Sequence, residues 1–241
     1  MSDGLLLIHA FPLDARMWEG QRSGPRSVAP DLPGFGMSPT VGPTMTMASA
    51  AQRCLAAVDA AGLERFVVCG LSMGGYVAFE LWRQARERIA GLVLANTRAA
   101  ADTPEAAEGR RALAERLRTE GNVLAADPPP LLAEHASEAL RQRVKGWIGD
   151  QSAEAIAAAA LGMASRPDST ADLAGIDVPT LVITSDGDRM IPAAMSAPMA
   201  DAIAGARLES LAGVGHLTNV EAPASFNQLL HEHLAACGIA R

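Results

Sequence analysis

The feature that most limits what this chain can fold into is a set of four short apolar runs: Leu5–Ile8, Phe66–Cys69, Leu92–Ala95 and Leu181–Thr184. Each is rich in Val, Ile and Leu, lacks the apolar–polar alternation of a half-solvated strand, and is bounded by Gly, Pro, Asn or Asp. Continuous apolarity requires cover on both faces, which is the condition of a central strand in a parallel sheet packed between helices. Two weaker strand candidates, Ser27–Ala29 ahead of Pro30 and Arg207–Leu211, bring the expected sheet to about six strands. Between the strands the spacing changes to that of helices. Met47–Ala61 places Ala51, Leu55 and Val58 on one face, and Met73–Arg86 does the same with Val77 and Leu81. Ala194–Ala204 and Ala222–Ala236 complete the set, the last with Phe226, Leu229, Leu230 and Leu234 together. Strands alternating with helices define an α/β fold.

One segment breaks the alternation. From about Arg98 to Gly175 there is no strand signal and the composition shifts to Ala, Arg and Glu. Helical faces run through Leu113 and Leu117, through Leu140, Val144 and Trp147–Ile148, and through Ile156 and Leu161, with Pro128–Pro130 as a stop between two of them. The expected division is an α/β core from residues 1–97 and 176–241, interrupted by a helical cap at 98–175. Such an insertion serves either as extra packing or as a cover over a site.

Composition narrows the function classes. With 241 residues, 49% hydrophobic and 20% charged, the chain is long enough for a sizeable core and unlike disordered, collagenous or disulfide-stapled sequences. The net charge of −7 and the lack of any basic run give no support to nucleic acid or an acidic membrane as partner. The apolar run Leu5–Ile8 is too short for a signal-peptide core or a membrane span. Cys54, Cys69 and Cys237 are odd in number and far apart, with no CxxC or Cys/His cluster, so no metal site is expected. Cys69, inside Phe66–Gly70, reads as core. A reduced, cytoplasmic setting is the expectation.

The chemistry concentrates where Phe66–Cys69 runs into Gly70-Leu71-Ser72-Met73-Gly74-Gly75 and then a helix. This is G-x-S-x-G between a strand and a helix, the context of a nucleophile elbow. Glycines relieve the crowding of a sharp turn that pushes Ser72 out at the carboxyl end of the sheet. A nucleophilic serine needs a base. Of five histidines, His231 and His233 suit solvated positions on the terminal helix, His135 lies in a polar helix of the insertion, and His9 ends the first strand. His216, in the glycine-rich loop Ala212–Leu217 after the last strand, is best placed to reach the carboxyl end of the sheet. An orienting acid is expected after Leu181–Thr184, where Ser185–Pro192 offers two. Asp186 precedes Gly187 and suits a plain turn, whereas Asp188 lies four residues before Pro192, where a helix can begin. An oxyanion would need two N–H donors. These are expected from the main chain of Met73, just after Ser72, and of Phe11 in the loop His9–Pro12.

Together LIHAFPLDARMW, APDLPGFGMSP, GLSMGGYVAFE, SDGDRMIP and AGVGHLTNVEAP resemble the α/β-hydrolase superfamily, and within it the cofactor-free serine esterases and 3-oxoadipate enol-lactonase-like hydrolases. The motifs span nearly the whole chain except the insertion, which in that family is the variable cap. The chain order Ser…Asp…His is that of the superfamily. The resemblance implies Ser72 as nucleophile, His216 as base and Asp188 as acid, because the family's acid falls four residues before a proline. Serine rather than aspartate at the elbow separates the chain from haloalkane dehalogenases and epoxide hydrolases.

Two departures stand out. The family usually has His-Gly where this chain has His9-Ala10, which places a methyl in the oxyanion loop. Relatives also usually carry two strands before the first one here. Without them the strand before Pro30-Asp31 becomes an open edge, and a homodimer covering that edge is expected. The expected function is hydrolysis of a carboxylic ester, lactone or thioester of a small apolar substrate. The same triad also serves perhydrolysis, C–C hydrolysis or a biosynthetic cyclisation, and a ligand-binding signalling protein with residual activity is a further alternative. Trp147, Met163 and Met190 are candidate substrate-binding walls, although residues of these types are more often plain core than contacts. Arg98, after Asn96-Thr97, suits either a substrate carboxylate or a surface salt bridge.

Overall fold

The four apolar runs become the four central strands of one sheet. The computed structural model describes residues 3–22 and 26–239. Its strands are β1 (Asp3–Ile8), β2 (Ser27–Val28), β3 (Arg65–Leu71), β4 (Ile89–Ala95), β5 (Thr180–Ser185) and β6 (Arg207–Leu211). All pair in parallel, in the order β2-β1-β3-β4-β5-β6. The two weak candidates are the two edges, where one neighbour and partial cover suffice. Side chains of the central strands alternate between two separate apolar clusters. Leu6, Ile8, Val68, Leu92 and Val182 enter one, and Leu5, Leu7, Val67, Cys69, Val93 and Ile183 enter the other.

Nine α-helices surround the sheet in the described residues: α1 (Met47–Ala60), α2 (Met73–Ala85), α3 (Pro104–Glu120), α4 (Val123–Ala126), α5 (Glu138–Gly149), α6 (Ala153–Ala164), α7 (Ala193–Ala202), α8 (Thr218–Glu221) and α9 (Pro223–Ala236). Four begin at a hydroxyl cap: the side chains of Thr46, Thr103, Ser137 and Ser152 each accept from the N–H three residues on. Helices α1 and α2 cover the first cluster, and Phe226, Leu230 and Leu234 of α9 cover the second.

Between residues 98 and 175 the chain is helical and contributes no strand. Its α6 packs into the first cluster with Ile156, Ala157, Ala159 and Ala160 fully buried, and the Ala158 carbonyl accepts the Met45 N–H at 3.0 Å. Asp102, with its side chain fully buried, receives Arg98, Arg110 and Arg166, and the Arg166 guanidinium lies 4.0 Å from the Tyr76 ring centroid of α2. Arg98 therefore meets a carboxylate of its own chain.

Several local expectations need correction. His135 occupies a turn before α5 rather than a helix, because Pro128–Pro130 postpones helix formation until Ser137. His233 is buried, not solvated, against Gly91 and Cys237, and burial first, then Arg207, pushes its imidazole down to about 4. A 3-10 helix, Ala15–Gln21, follows β1 and is capped by the Asp14 side chain; neither periodicity nor composition signals it. The connection from Trp18 to Ala29 includes residues 23–25, which lie outside the described residues.

Candidate active site

Because every strand runs the same way, the carboxyl ends of β3, β4, β5 and β6 release Ser72, Asn96, Asp188 and His216 at one end of the sheet. Ser72 sits between β3 and α2 with φ 57 and ψ −114, a backbone conformation that side chains other than glycine rarely take. Holding it costs about 1–3 kcal/mol, and the surroundings supply the constraint. Its N–H donates to the Ala95 carbonyl at 2.9 Å, and its carbonyl accepts the Gly75 N–H at 2.9 Å and the Thr97 hydroxyl at 2.7 Å. The flanking glycines are demanded by close approach: a Cβ on Gly70 would strike the Gly74 carbonyl, and one on Gly74 would strike the Ile8 carbonyl.

The loops after β5 and β6 meet in a buried histidine–carboxylate contact. His216 Nδ1 lies 2.8 Å from Asp188 Oδ2, and the two residues are 1% and 5% exposed. Asp188 Oδ1 accepts the N–H groups of Met190 and Ile191 at 2.8 and 2.9 Å, while Oδ2 also accepts the Asn96 side-chain amide at 2.9 Å. Burial alone would raise its pKa; the His216 contact, with Ile191 and Asn96, outweighs that and holds the carboxyl below the usual range. Asp186 has the other fate considered from sequence. It is exposed in the turn and accepts the Gly213 N–H at 2.6 Å.

The loop after β1 is fixed by His9, which is fully buried. Its Nε2 accepts the Leu32 N–H at 3.0 Å, so its Nδ1 carries the proton facing the Ala10 carbonyl at 3.1 Å. Burial pushes this imidazole down, which keeps it neutral. The Ala10 methyl packs into the second apolar cluster and its φ is not positive, so alanine is accommodated there without backbone strain. No main-chain acceptor among the described residues engages the Phe11 N–H. Met73 opens α2, where a first-turn N–H has no intrahelical partner.

Of the candidate wall residues, Met163 is buried in the same cluster as Met73, with Phe11 packed against it. Trp147 packs instead on the other cluster, which contains Ala10 and Leu217. Met190 is 41% exposed. Sequence reasoning missed Asn96, Thr218 and Glu221, three polar residues that hold the loops together. The only signal for Asn96 was its position directly after an apolar strand.

A parallel sheet with a strained serine at the strand-to-helix elbow after β3 and a buried His–Asp pair on the loops after β5 and β6 has the pattern of the α/β-hydrolase class of proteins. The alpha/beta hydrolase family model matches residues 5–229, and the chain belongs to that family. Among solved structures it is similar to a thermophilic esterase from Thermogutta terrifontis, at 40% identity and a TM-score of 0.92 over 97% of this chain and 90% of the other. Among curated proteins it is 31% identical to a pimeloyl-acyl-carrier-protein methyl ester esterase of Aromatoleum aromaticum, over 88% of this chain and 90% of that protein. It is 28% identical to a 3-oxoadipate enol-lactonase of Acinetobacter baylyi, over 93% and 86%. The protein is a hydrolase. No helix among the described residues is long and apolar enough to cross a membrane.

Proposed function

We propose that the protein hydrolyses carboxylic esters, including lactones and thioesters, through an acyl-enzyme on Ser72. The observation that carries this reading is the Ser72 backbone, held at φ 57 and ψ −114 at the carboxyl end of the sheet that also bears the His216–Asp188 pair. Strain of this kind persists only where surrounding structure enforces it.

In the proposed reaction Ser72 Oγ attacks the substrate carbonyl carbon as His216 Nε2 takes the hydroxyl proton. Asp188 holds Nδ1–H and stabilises the imidazolium. The Phe11 and Met73 N–H groups receive the oxyanion, each contributing about 2.7–4 kcal/mol in the transition state. Collapse expels the alcohol, thiol or ring alkoxide, which takes the proton from His216. Water, deprotonated by the same imidazole, then releases the acid and restores Ser72. Met163, Trp147 and Met190 are proposed to border the substrate, which favours a small apolar acyl group.

Activity of the native protein and of Ser72→Ala against p-nitrophenyl esters, lactones and acyl thioesters tests this. Hydrolysis of at least one class, lost in the variant with the fold intact, is the expected result. Undiminished hydrolysis by Ser72→Ala would remove the proposal. The homodimer is proposed on separate grounds: β2 lies at the sheet edge with β1 as its only strand partner among the described residues. A monomer by light scattering would remove it.

A further inference from the structure

We propose that Asn96 is a positioning residue that ties the loops bearing Asp188 and His216 to the end of β4, beside Thr97, which holds the Ser72 elbow. This inference rests on the Ser72–His216–Asp188 reading above.

Asn96 is fully buried directly after β4, with φ 44. Left-handed backbone is tolerated by asparagine better than by most residues, and here it directs the amide between the loops after β5 and β6. The side-chain nitrogen donates to Asp188 Oδ2 at 2.9 Å, the same oxygen that faces His216, and to the Ser185 hydroxyl at 2.9 Å. The side-chain oxygen accepts the Thr218 hydroxyl at 2.9 Å, two residues beyond His216. The Ser185 hydroxyl in turn donates to the Gly215 carbonyl at 2.7 Å, so the amide reaches the histidine loop from both sides of His216. The next residue, Thr97, donates to the Ser72 carbonyl at 2.7 Å, and its carbonyl accepts the Ser196 hydroxyl of α7 at 2.7 Å. One dipeptide thus carries the elbow, the acid and the base.

The chemistry of the amide matters beyond its reach. Asp188 Oδ2 shares its charge between His216 and a neutral donor. Without that donor the carboxylate would interact more strongly with an imidazolium, raising the proton affinity of His216, and would lose one of the contacts that fix its plane. An aspartate could not donate in its ionised form. The other ionisable groups on these loops are Asp186, which accepts the Gly213 N–H, Arg189, paired with Glu134 at 3.2 Å, and Glu221, which accepts the Gly215 N–H; His135 and Arg141 of the insertion face Glu221.

The test uses Asn96→Gly, which keeps the left-handed backbone accessible and deletes the amide, and Thr218→Val, which deletes only the hydroxyl that orients it. Each is read by p-nitrophenyl butyrate kinetics and by the pH dependence of fluorophosphonate labelling. Asn96→Gly is expected to lower kcat 10- to 100-fold with KM within threefold, and to move the acidic limb of labelling upward by about half a pH unit. Thr218→Val is expected to move both in the same direction by less, and the double variant to be no worse than Asn96→Gly. An unshifted acidic limb in folded Asn96→Gly, or additive losses in the double variant, would overturn the positioning role while leaving Ser72 as nucleophile intact. Full activity in Ser72→Ala would overturn both.

Discussion

Glu221 Oε1 accepts the main-chain N–H of Gly215 at 3.0 Å, so the carboxylate of α8 holds the residue next to His216. Its other oxygen accepts the Ala133 N–H of the insertion at 2.9 Å, and the Leu217 N–H donates to the Leu131 carbonyl at 3.1 Å. The histidine loop and the insertion are therefore built as one unit. Burial pushes the Glu221 carboxyl up despite these two N–H donors. Replacing it by alanine leaves two inward N–H groups without their acceptor, at about 1–3 kcal/mol each where water cannot reach them. Glu221→Ala should therefore lower the denaturation midpoint and reduce kcat several-fold. Chemical denaturation alongside ester hydrolysis checks this, and unchanged stability would show that the bridge is replaceable by solvent.

The insertion is also fitted to the core at α6. A Cβ on Gly162 would collide with the Met45 carbonyl, a rigid main-chain atom rather than a yielding side chain. Gly162→Ala should destabilise the protein by about 1–3 kcal/mol, the usual range for overpacking. Gly146, where a Cβ meets nothing, is the control, and Gly146→Ala should be neutral or slightly stabilising. Equal urea midpoints for the two variants would contradict close docking of α6.

Stability should also depend on pH through His233. Its folded value of about 4 lies below the unfolded value of about 6.5. Above pH 6.5 both states are neutral and this residue makes no difference to the slope. As pH falls through the interval towards 4, the unfolded chain takes up a proton that the folded chain refuses, so stability declines, by about 2–3 kcal/mol in total. Native protein should lose that stability between about pH 6.5 and 4, and His233→Gln should show a flatter profile. Parallel profiles from thermal melts would show that His233 is not the group responsible.

Much of this arrangement was legible in the sequence, for reasons that differ by residue. The strands were readable because burial on both faces leaves no polar alternation. Ser72 was readable because close main-chain contacts demand glycine around it, and those glycines stand beside it in the chain. His216 and Asp188 followed from loops at one end of a parallel sheet, with the choice of Asp188 over Asp186 resting on family resemblance. The Asn96–Thr218 and Glu221–Ala133 contacts were not readable. They join residues far apart in sequence, and an isolated polar residue carries no trace of its partner. His233 misled for a related reason: a helix exposes or buries a histidine according to what packs on it, here Gly91 of β4, whose missing side chain makes room.

The most direct measurement of the central claim is mass spectrometry of the protein after treatment with a fluorophosphonate. The account predicts one adduct, localised to the peptide containing Ser72, absent from Ser72→Ala and strongly slowed in a folded His216→Ala variant. No adduct on the native protein, or an adduct on another serine that persists in Ser72→Ala, would contradict it.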